Sequence, residues 1–327
     1  MVTRREIMLA MSAGALLPLT SFAQQPGKVW RIGILAVRSP AASREQIGIF
    51  KKGLGDLGRS EGADLLIDAR FASGDVEKLP ALTADLLRAK PDVILAISSF
   101  AVKAARQATA TVPIVMAGVG DPIASGFVAS LARPGGNITG LTNLSVELSG
   151  KYLEFLHAAV PKLSRVAVLI NPAHPNHPEV LRQVRSGAKS IGAKIVVFEV
   201  GATNALERVL AKIGRENPGA LIVPPDPSWT AFEPRIVEAA AKNRIPTMFG
   251  VDSAVEAGGL LSYQPNWSDM YRRAAGMVDK ILKGVKPSDI PVENPIKFDL
   301  AINMKTAKAL GLKVPQSILI QATKVIE

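Results

Sequence analysis

Short apolar runs alternate with amphipathic segments along most of the chain, and this alternation restricts the fold more than any other feature. The pattern predicts strands at 30–37, 93–97 and 113–117, with helices between them, and the same order restarts after residue 144. Such an alternation is typical of parallel sheets that are covered by helices on both faces. With 327 residues, the chain is long enough for two domains of roughly 150 residues each.

The stretch 113–143 shows how one of these units is built. An apolar run leads into Gly118 and Gly120, where the backbone approaches a neighbour closely. Asp121 followed by Pro122 is a helix start signal. Four apolar residues then follow at helical spacing: Ile123, Phe127, Val128 and Leu131. We therefore predict a strand, a glycine loop and a helix, a unit that holds small anionic ligands in α/β folds.

This stretch also carries a resemblance to a known family. The run PIV…GDP…GFVASLARPGGNITGLT, together with DKILKG at 279–284 and NMKTAKALG at 303–311, resembles ABC transporter substrate-binding proteins related to tryptophan/tyrosine-binding lipoproteins. The resemblance covers nearly all of the chain after residue 23. It implies a type I periplasmic binding fold, an α/β architecture with two doubly wound parallel-sheet lobes, a three-segment hinge and a ligand in the cleft.

The resemblance also implies how the chain is divided between the lobes. The N-terminal lobe is expected to contain 28–141 and about 258–290, and the C-terminal lobe 144–257 and about 291–327. The three passages between the lobes are then expected near Leu141, Gly258 and Pro291.

The first 23 residues have the composition of a signal peptide. Arg4 and Arg5 precede an interrupted apolar stretch, and Ser21-Phe22-Ala23 fits a cleavage site for either Sec or twin-arginine export. The chain has no cysteine, so no lipid-bearing residue follows the signal, in contrast to the lipoprotein relatives. We therefore expect a periplasmic, non-lipidated mature protein that is not embedded in a membrane.

Composition and motifs argue against two other classes of protein. The net charge of +11 first suggests nucleic acid, but the basic residues are dispersed, which is typical of a solvated surface. No G-x-S-x-G elbow, P-loop, cysteine nucleophile or G-x-G-x-x-G after the first strand is present. We therefore predict no nucleic-acid partner, no cofactor and no catalytic residues.

Ligands of open α/β sheets bind beyond the carboxyl ends of the strands, so the loops that follow the predicted strands supply the candidate residues. Ser98 and Ser99 precede a helix, where hydroxyls and free N–H groups receive a carboxylate without any full positive charge. Asp226 or Asp252 is the predicted partner of a ligand amine, since both follow strands of the second lobe. The complete candidate set is Ser39, Ser98, Ser99, Gly120, Asp121, Asn171, Asp226, Asp252 and Tyr263.

Each of these candidates also has a structural interpretation without a ligand. The serines and Asp121 have the residue types of helix N-caps, and Pro225-Asp226-Pro227 is an ordinary turn sequence. His174 and His177 lie in a proline-rich loop near Glu179, and we interpret them as loop-surface residues because a third metal ligand is missing. The loop that carries them remains a candidate for the rim of the ligand cleft.

The sequence thus favours the periplasmic solute-binding component of an ABC importer. The expected ligand is a small molecule, which the resemblance suggests is an aromatic or hydrophobic amino acid or a related carboxylate. The expected protein partner is a membrane permease, and the mature chain is expected to be a monomer. The alternatives are a sensing module that acts with a membrane receptor, the effector-binding core of a LacI-like repressor, which the signal peptide argues against, and an enzyme.

Overall fold

The fold was analysed in a computed structural model that describes residues 28–201 and 205–327. The chain forms two α/β lobes, each built on one sheet with an apolar cluster against either face. In the described residues no helix has the length and apolar character needed to cross a membrane. The predicted signal peptide and its predicted cleavage site after Ala23 lie outside the described residues.

The first lobe is built on a five-stranded parallel sheet in the order β2-β1-β3-β4-β5. Its strands are β1 (Trp30–Ala36), β2 (Leu65–Phe71), β3 (Val93–Ile97), β4 (Ile114–Val119) and β5 (Ile138–Thr142), and the helices between them are α1 (Pro40–Asp56), α2 (Leu79–Arg88) and α3 (Ser99–Ala108). The strands β3 to β5 are almost completely buried, as expected for strands that helices cover on both faces.

The second lobe is built on a seven-stranded sheet in the order β12-β11-β10-β9-β8-β6-β7. Its strands are β6 (Arg165–Ile170), β7 (Lys194–Glu199), β8 (Ala220–Val223), β9 (Thr247–Phe249), β10 (Leu261–Pro265), β11 (Phe298–Asn303) and β12 (Lys324–Ile326). Its helices are α4 (Ser145–Ala159), α5 (His177–Ser190), α6 (Leu206–Glu216), α7 (Glu233–Lys242), α8 (Ser253–Glu256), α10 (Met304–Leu310) and α11 (Gln316–Leu319). Neighbouring strands are parallel except β10 and β11, which are antiparallel.

The chain passes between the lobes three times, and two passages differ from the prediction. The first follows β5, near the predicted Leu141. The second comes after Pro265, because β10 pairs with β9 and β11, so 261–265 belongs to the second lobe and not to the first. Helix α9 (Trp267–Leu282) then returns to the first lobe, where Met270 and Tyr271 join its core.

The third passage also lies later than the predicted Pro291. Val292 is buried in the core of the first lobe, and the Glu293 N–H donates to the Gly140 carbonyl at 2.9 Å. These contacts hold 291–293 against β5. The chain therefore passes to the second lobe after residue 293 and before β11 begins at Phe298.

The predicted helix after Asp121 is wrong. Residues 122–126 form consecutive turns, which Gly126 ends at φ +67°. The Phe127 N–H donates back to the Pro122 carbonyl at 2.8 Å, closing the segment before a second helical turn forms. Phe127 is buried all the same, whereas Ile123 is 47% exposed. The expected apolar face of a helix is therefore absent here.

Candidate ligand-binding site

A cavity lies where the strand-end loops of the two lobes face each other. The first lobe lines it with Arg38, Gln46, Ser98, Ser99, Gly118, Gly120, Trp267 and Tyr271. The second lobe lines it with Ser145, His174, Asn176, Asp226, Thr230 and Glu233. The two sets differ in charge, since the first contains a cation and the second contains two carboxyl groups.

The strand order explains why these loops meet at the cavity. In each sheet the order reverses once, between β1 and β3 in the first lobe and between β6 and β8 in the second. Adjacent strands whose connections leave on opposite faces open a crevice at their carboxyl ends. Arg38 and Ser98 follow β1 and β3, while Asn171 and Asp226 follow β6 and β8. The cavity is therefore bounded by the switch points of both sheets.

Ser98 and Ser99 stand at the start of α3, as predicted, and both are buried. Ser98 is the N-cap, with its Oγ 3.5 Å from the Ala101 N–H, and its backbone has a φ of +92°. Such a φ is costly for a residue other than glycine and is typical of functional sites, where the surrounding structure enforces it. Ser98 thus caps the helix and lines the cavity, and Ser99 presents the first turn of α3 to it.

Asp226 is buried in the wall of the second lobe, and neighbouring groups hold its carboxylate in place. The Asn171 Nδ2 donates to its Oδ2 at 2.8 Å, and the Ser228 N–H and Oγ donate to its Oδ1 at 2.9 and 2.6 Å. Asp226 therefore has the turn role considered for it and lines the cavity as well. None of these donors is charged, so none of them is a counter-ion for the carboxylate.

Gly120 lies where the two lobes are in direct contact. A Cβ placed on Gly120 would stand 1.9 Å from the Asn176 Nδ2 and 2.5 Å from the Ser145 Oγ, both in the second lobe. With its amide oriented to satisfy its neighbours, Asn176 accepts from the Gly120 N–H at 2.9 Å and from the Asp121 N–H at 3.1 Å. These bonds join the lobes directly, so the structure shows the cleft closed.

Two other candidates support the site from outside the cavity. Asp121 does not line it, and its Oδ1 accepts from the Ile123 and Ala124 N–H groups at 3.0 and 2.9 Å, the local capping role considered for it. Asn171 is buried behind Asp226, to which it donates its hydrogen bond, and it too is absent from the cavity wall.

Three further candidates lie away from the cavity wall. The Ser39 Oγ caps α1 by accepting from the Ala42 N–H at 3.3 Å. The Asp252 side chain is 40% exposed and stands 3.9 Å from the Lys324 Nζ, outside the cavity. Tyr263 packs its ring against the aromatic rings of the second lobe's core. Of the two aspartates considered as amine partners, the structure thus brings only Asp226 to the cavity.

The interpretation of His174 and His177 as surface residues is wrong. Both are buried, their rings stack at 4.2 Å, and His174 lines the cavity while packing on Phe100 of the first lobe. The His177 Nδ1 accepts from the Asn171 N–H at 2.8 Å, which fixes the loop that carries them. Among the residues described, no group of three potential metal ligands clusters, here or elsewhere.

Burial lowers the pKa of both histidines, and the proximity of His174 lowers the pKa of His177 further. A histidine whose pKa is lower in the folded protein than in the unfolded chain takes up its proton more readily in the unfolded chain. The stabilisation is therefore complete at pH values above the ordinary pKa and is lost as the pH falls below it. We therefore expect the free energy of unfolding to decrease as the pH falls below about 6.5, by up to about 1.4 kcal/mol per pH unit for each proton.

Urea unfolding at pH 7 and pH 5 measures this dependence. His177→Asn should make the difference between the two pH values smaller, whereas Ser190→Ala, which removes an exposed hydroxyl and no titratable group, should leave it unchanged. An equal pH dependence in the parent and the His177 variant would show that the buried His177 does not cause the loss of stability at low pH.

The candidate set omitted several residues that line the cavity, among them Arg38, Gln46, Glu233, Trp267 and Tyr271. Arg38 had a signal, because it follows the first strand directly beside the candidate Ser39. The others lie on helices, where no local pattern marks a ligand contact. Trp267 packs against Gly118, where a Cβ would stand 3.1 Å from its ring, so a larger residue at 118 would displace the ring.

Comparison with known proteins agrees with this architecture. Residues 31–326 match the family described as ABC transporter substrate binding protein. A tyrosine-binding protein of Clostridioides difficile is 28% identical over 279 residues, which are 85% of this chain and 79% of that protein.

Two solved structures extend the comparison. An ABC domain from Streptococcus pneumonia in complex with L-Trp is 26% identical and covers 91% of this chain and 99% of its own, with a TM-score of 0.84. A ligand-free, open substrate binding protein with adhesive properties from Clostridium difficile is 28% identical, with coverage of 91% and 99% and a TM-score of 0.68. The higher TM-score with the ligand-bound relative agrees with the closed cleft. The family model matches nearly all of the described residues. The chain therefore belongs to the ABC transporter substrate binding proteins.

Proposed function

We propose that the chain is the periplasmic solute-binding component of an ABC importer and that it binds an amino acid or a related small carboxylate between its lobes. The observation that carries the proposal is the closed cavity, in which Ser98 and Ser99 at the start of α3 face the buried Asp226 of the other lobe. The N–H groups at a helix start attract a carboxylate, and a buried carboxylate attracts an ammonium group. An amino acid carries both groups on one carbon.

The same arrangement supports transport by lobe closure. A ligand that contacts both lobes stabilises the closed form, because only that form offers all of its contacts. The closed protein would then dock on a membrane permease, as a monomer. Trp267 and Tyr271, whose ring centroids are 6.2 Å apart, add an aromatic surface suited to an aromatic side chain. The tyrosine-binding and L-Trp-bound relatives support the same ligand class.

Calorimetric titration of the chain from residue 24 onward with L-tyrosine, L-tryptophan, L-phenylalanine and benzoate tests the ligand class. We expect Ser99→Ala to weaken amino-acid binding by about 1–2 kcal/mol, the scale of one hydrogen bond to a charged group. Ser190→Ala, which removes an exposed hydroxyl at the end of α5, is the control and should bind as the parent does. If Ser99→Ala also binds as the parent does, the carboxylate lies elsewhere.

A further inference from the structure

Among the described residues, Arg38 has no partner in a hydrogen bond or an ion pair. Its side chain lines the cavity, and its Nε is buried. In the part of the chain that the structure describes, it is also the one lysine or arginine in the cavity wall. A buried guanidinium N–H without an acceptor costs free energy, so a protein keeps such a group where a ligand supplies the acceptor.

The register of the sheet puts Arg38 beside the start of α3. Strands β1 and β3 are parallel neighbours, and Ala36 pairs with Ile97. Arg38 and Ser99 each lie two residues beyond this pair, just past the ends of adjacent strands that are about 4.8 Å apart. A single anionic group in the crevice can therefore accept hydrogen bonds from the start of α3 and from the guanidinium together.

Two further polar groups of the same cavity have no hydrogen-bond partner in the described part of the chain. The Gln46 amide makes no hydrogen bond to any described residue, its Oε1 is buried, and it too lines the cavity. The Tyr271 hydroxyl is likewise without a partner among the described residues, and burial raises its pKa, so it keeps its proton as a donor. All three side chains carry N–H or O–H donors, and all three line the same cavity.

Glu233 is the carboxyl group that faces Arg38 from the second lobe, but it does not pair with it. The charge of Arg38 acts on Glu233, yet no ion pair within 4 Å joins them, and the Ser253 Oγ donates to the Glu233 Oε2 at 2.9 Å. Burial raises the pKa of Glu233 and so favours its neutral form. The positive charge of Arg38 is thus left for a ligand.

We propose that Arg38, assisted by Gln46 and Tyr271, is the residue that selects a negatively charged ligand, and that the ligand presents a carboxylate to this wall of the first lobe. The proposal rests on the proposed function of the cleft and specifies its ligand class. It replaces the expectation that a carboxylate binds here without any full positive charge. It also separates two tasks, since Arg38 selects for the anionic group and Asp226 for the ammonium group. Neutral sugars and polyols are poor ligands for such a site.

The test compares acids with their uncharged amides. L-tyrosine, L-tryptophan and benzoate, each with its primary amide, are titrated into the parent, Arg38→Met, Arg38→Lys and Arg44→Met, with ribitol as a neutral probe. The parent should bind the acids at least about 10-fold more tightly than the amides, and Arg38→Met should remove about 10- to 100-fold of the acids' affinity. The amides should lose less than about 3-fold, on the scale of a neutral hydrogen bond. Arg38→Lys should retain part of the preference for acids.

Arg44 is the matched control, because it is an exposed arginine on α1 outside the cavity. Arg44→Met should bind all probes as the parent does. If Arg38→Met weakens acid and amide by the same factor, Arg38 acts on Glu233 or on lobe closure and the inference is overturned, while the proposed function stands. If benzoate binds through Arg38 and neither amino acid binds, the inference stands and the amino-acid function is overturned. Preferred binding of ribitol would overturn both.

Discussion

Asp226→Asn should abolish amino-acid binding at ligand concentrations that saturate the parent. The substitution keeps the shape and one acceptor oxygen, which can still accept from the Ser228 N–H and Oγ, but it loses the oxygen that accepts from the Asn171 amide and it removes the negative charge. An ammonium group enclosed in the cavity would then lack its counter-charge, and breaking a buried ion pair in this way costs about 3–5 kcal/mol. This corresponds to a loss of affinity of roughly 100-fold or more.

The stability of the protein should change far less than its affinity, since the side-chain oxygen of the introduced asparagine would still cap the turn. Asp75→Asn is the matched control, because Asp75 also begins a short 3-10 turn and its Oδ1 accepts from the N–H two residues later, at 3.2 Å. Asp75 lies outside the cavity, so the Asp75→Asn protein should bind amino acids with the affinity of the parent. Calorimetric titration gives the affinities and urea unfolding the stabilities. Parent-like affinity in Asp226→Asn would place the ammonium elsewhere.

Gly120→Ala should prevent the lobes from closing fully. The new methyl group would occupy the space of the Asn176 amide, which is buried and bonds the Gly120 and Asp121 N–H groups across the cleft. Overpacking costs typically about 1–3 kcal/mol, and each lost hydrogen bond costs about 0.5–1.5 kcal/mol more. Both costs fall on the closed form alone, so ligand affinity should decrease by about 2–6 kcal/mol while each separate lobe remains folded.

Gly136→Ala is the control in the same stretch, because nothing lies within 4 Å of the Cβ it would add. Small-angle scattering should show that saturating ligand makes the radius of gyration of the parent and of Gly136→Ala smaller than that of the ligand-free protein. The Gly120 variant should keep the larger, open radius. A variant that compacts as the parent does would show that Asn176 yields to the methyl group without cost.

Much of the fold follows from local sequence. The apolar runs of the first lobe predicted its buried strands, because strands covered on both faces need continuous apolar residues, and β1, β3 and β4 lie at the predicted positions. The same reasoning predicted Ser98, Ser99 and Asp226 as candidates, and they line the cavity, since the end of a strand is visible in the sequence and parallel strands end at one edge. The prediction failed where local signals compete, as after Asp121, where Gly126 outweighs the helical spacing.

The tertiary structure alone decided which polar groups face the cavity and which are satisfied elsewhere. Gln46 and Tyr271 lie 225 positions apart, and they meet at the cavity because α9 returns to the first lobe and packs against α1. The sequence identified His174 and His177 but not their burial, which depends on Phe100 and Trp229 from other parts of the chain. Sequence determines the local conformations and the buried periodicity, because these depend on neighbours within a few residues. The charge balance of a cleft depends on residues brought together by strand order and lobe closure, and only the folded chain shows it.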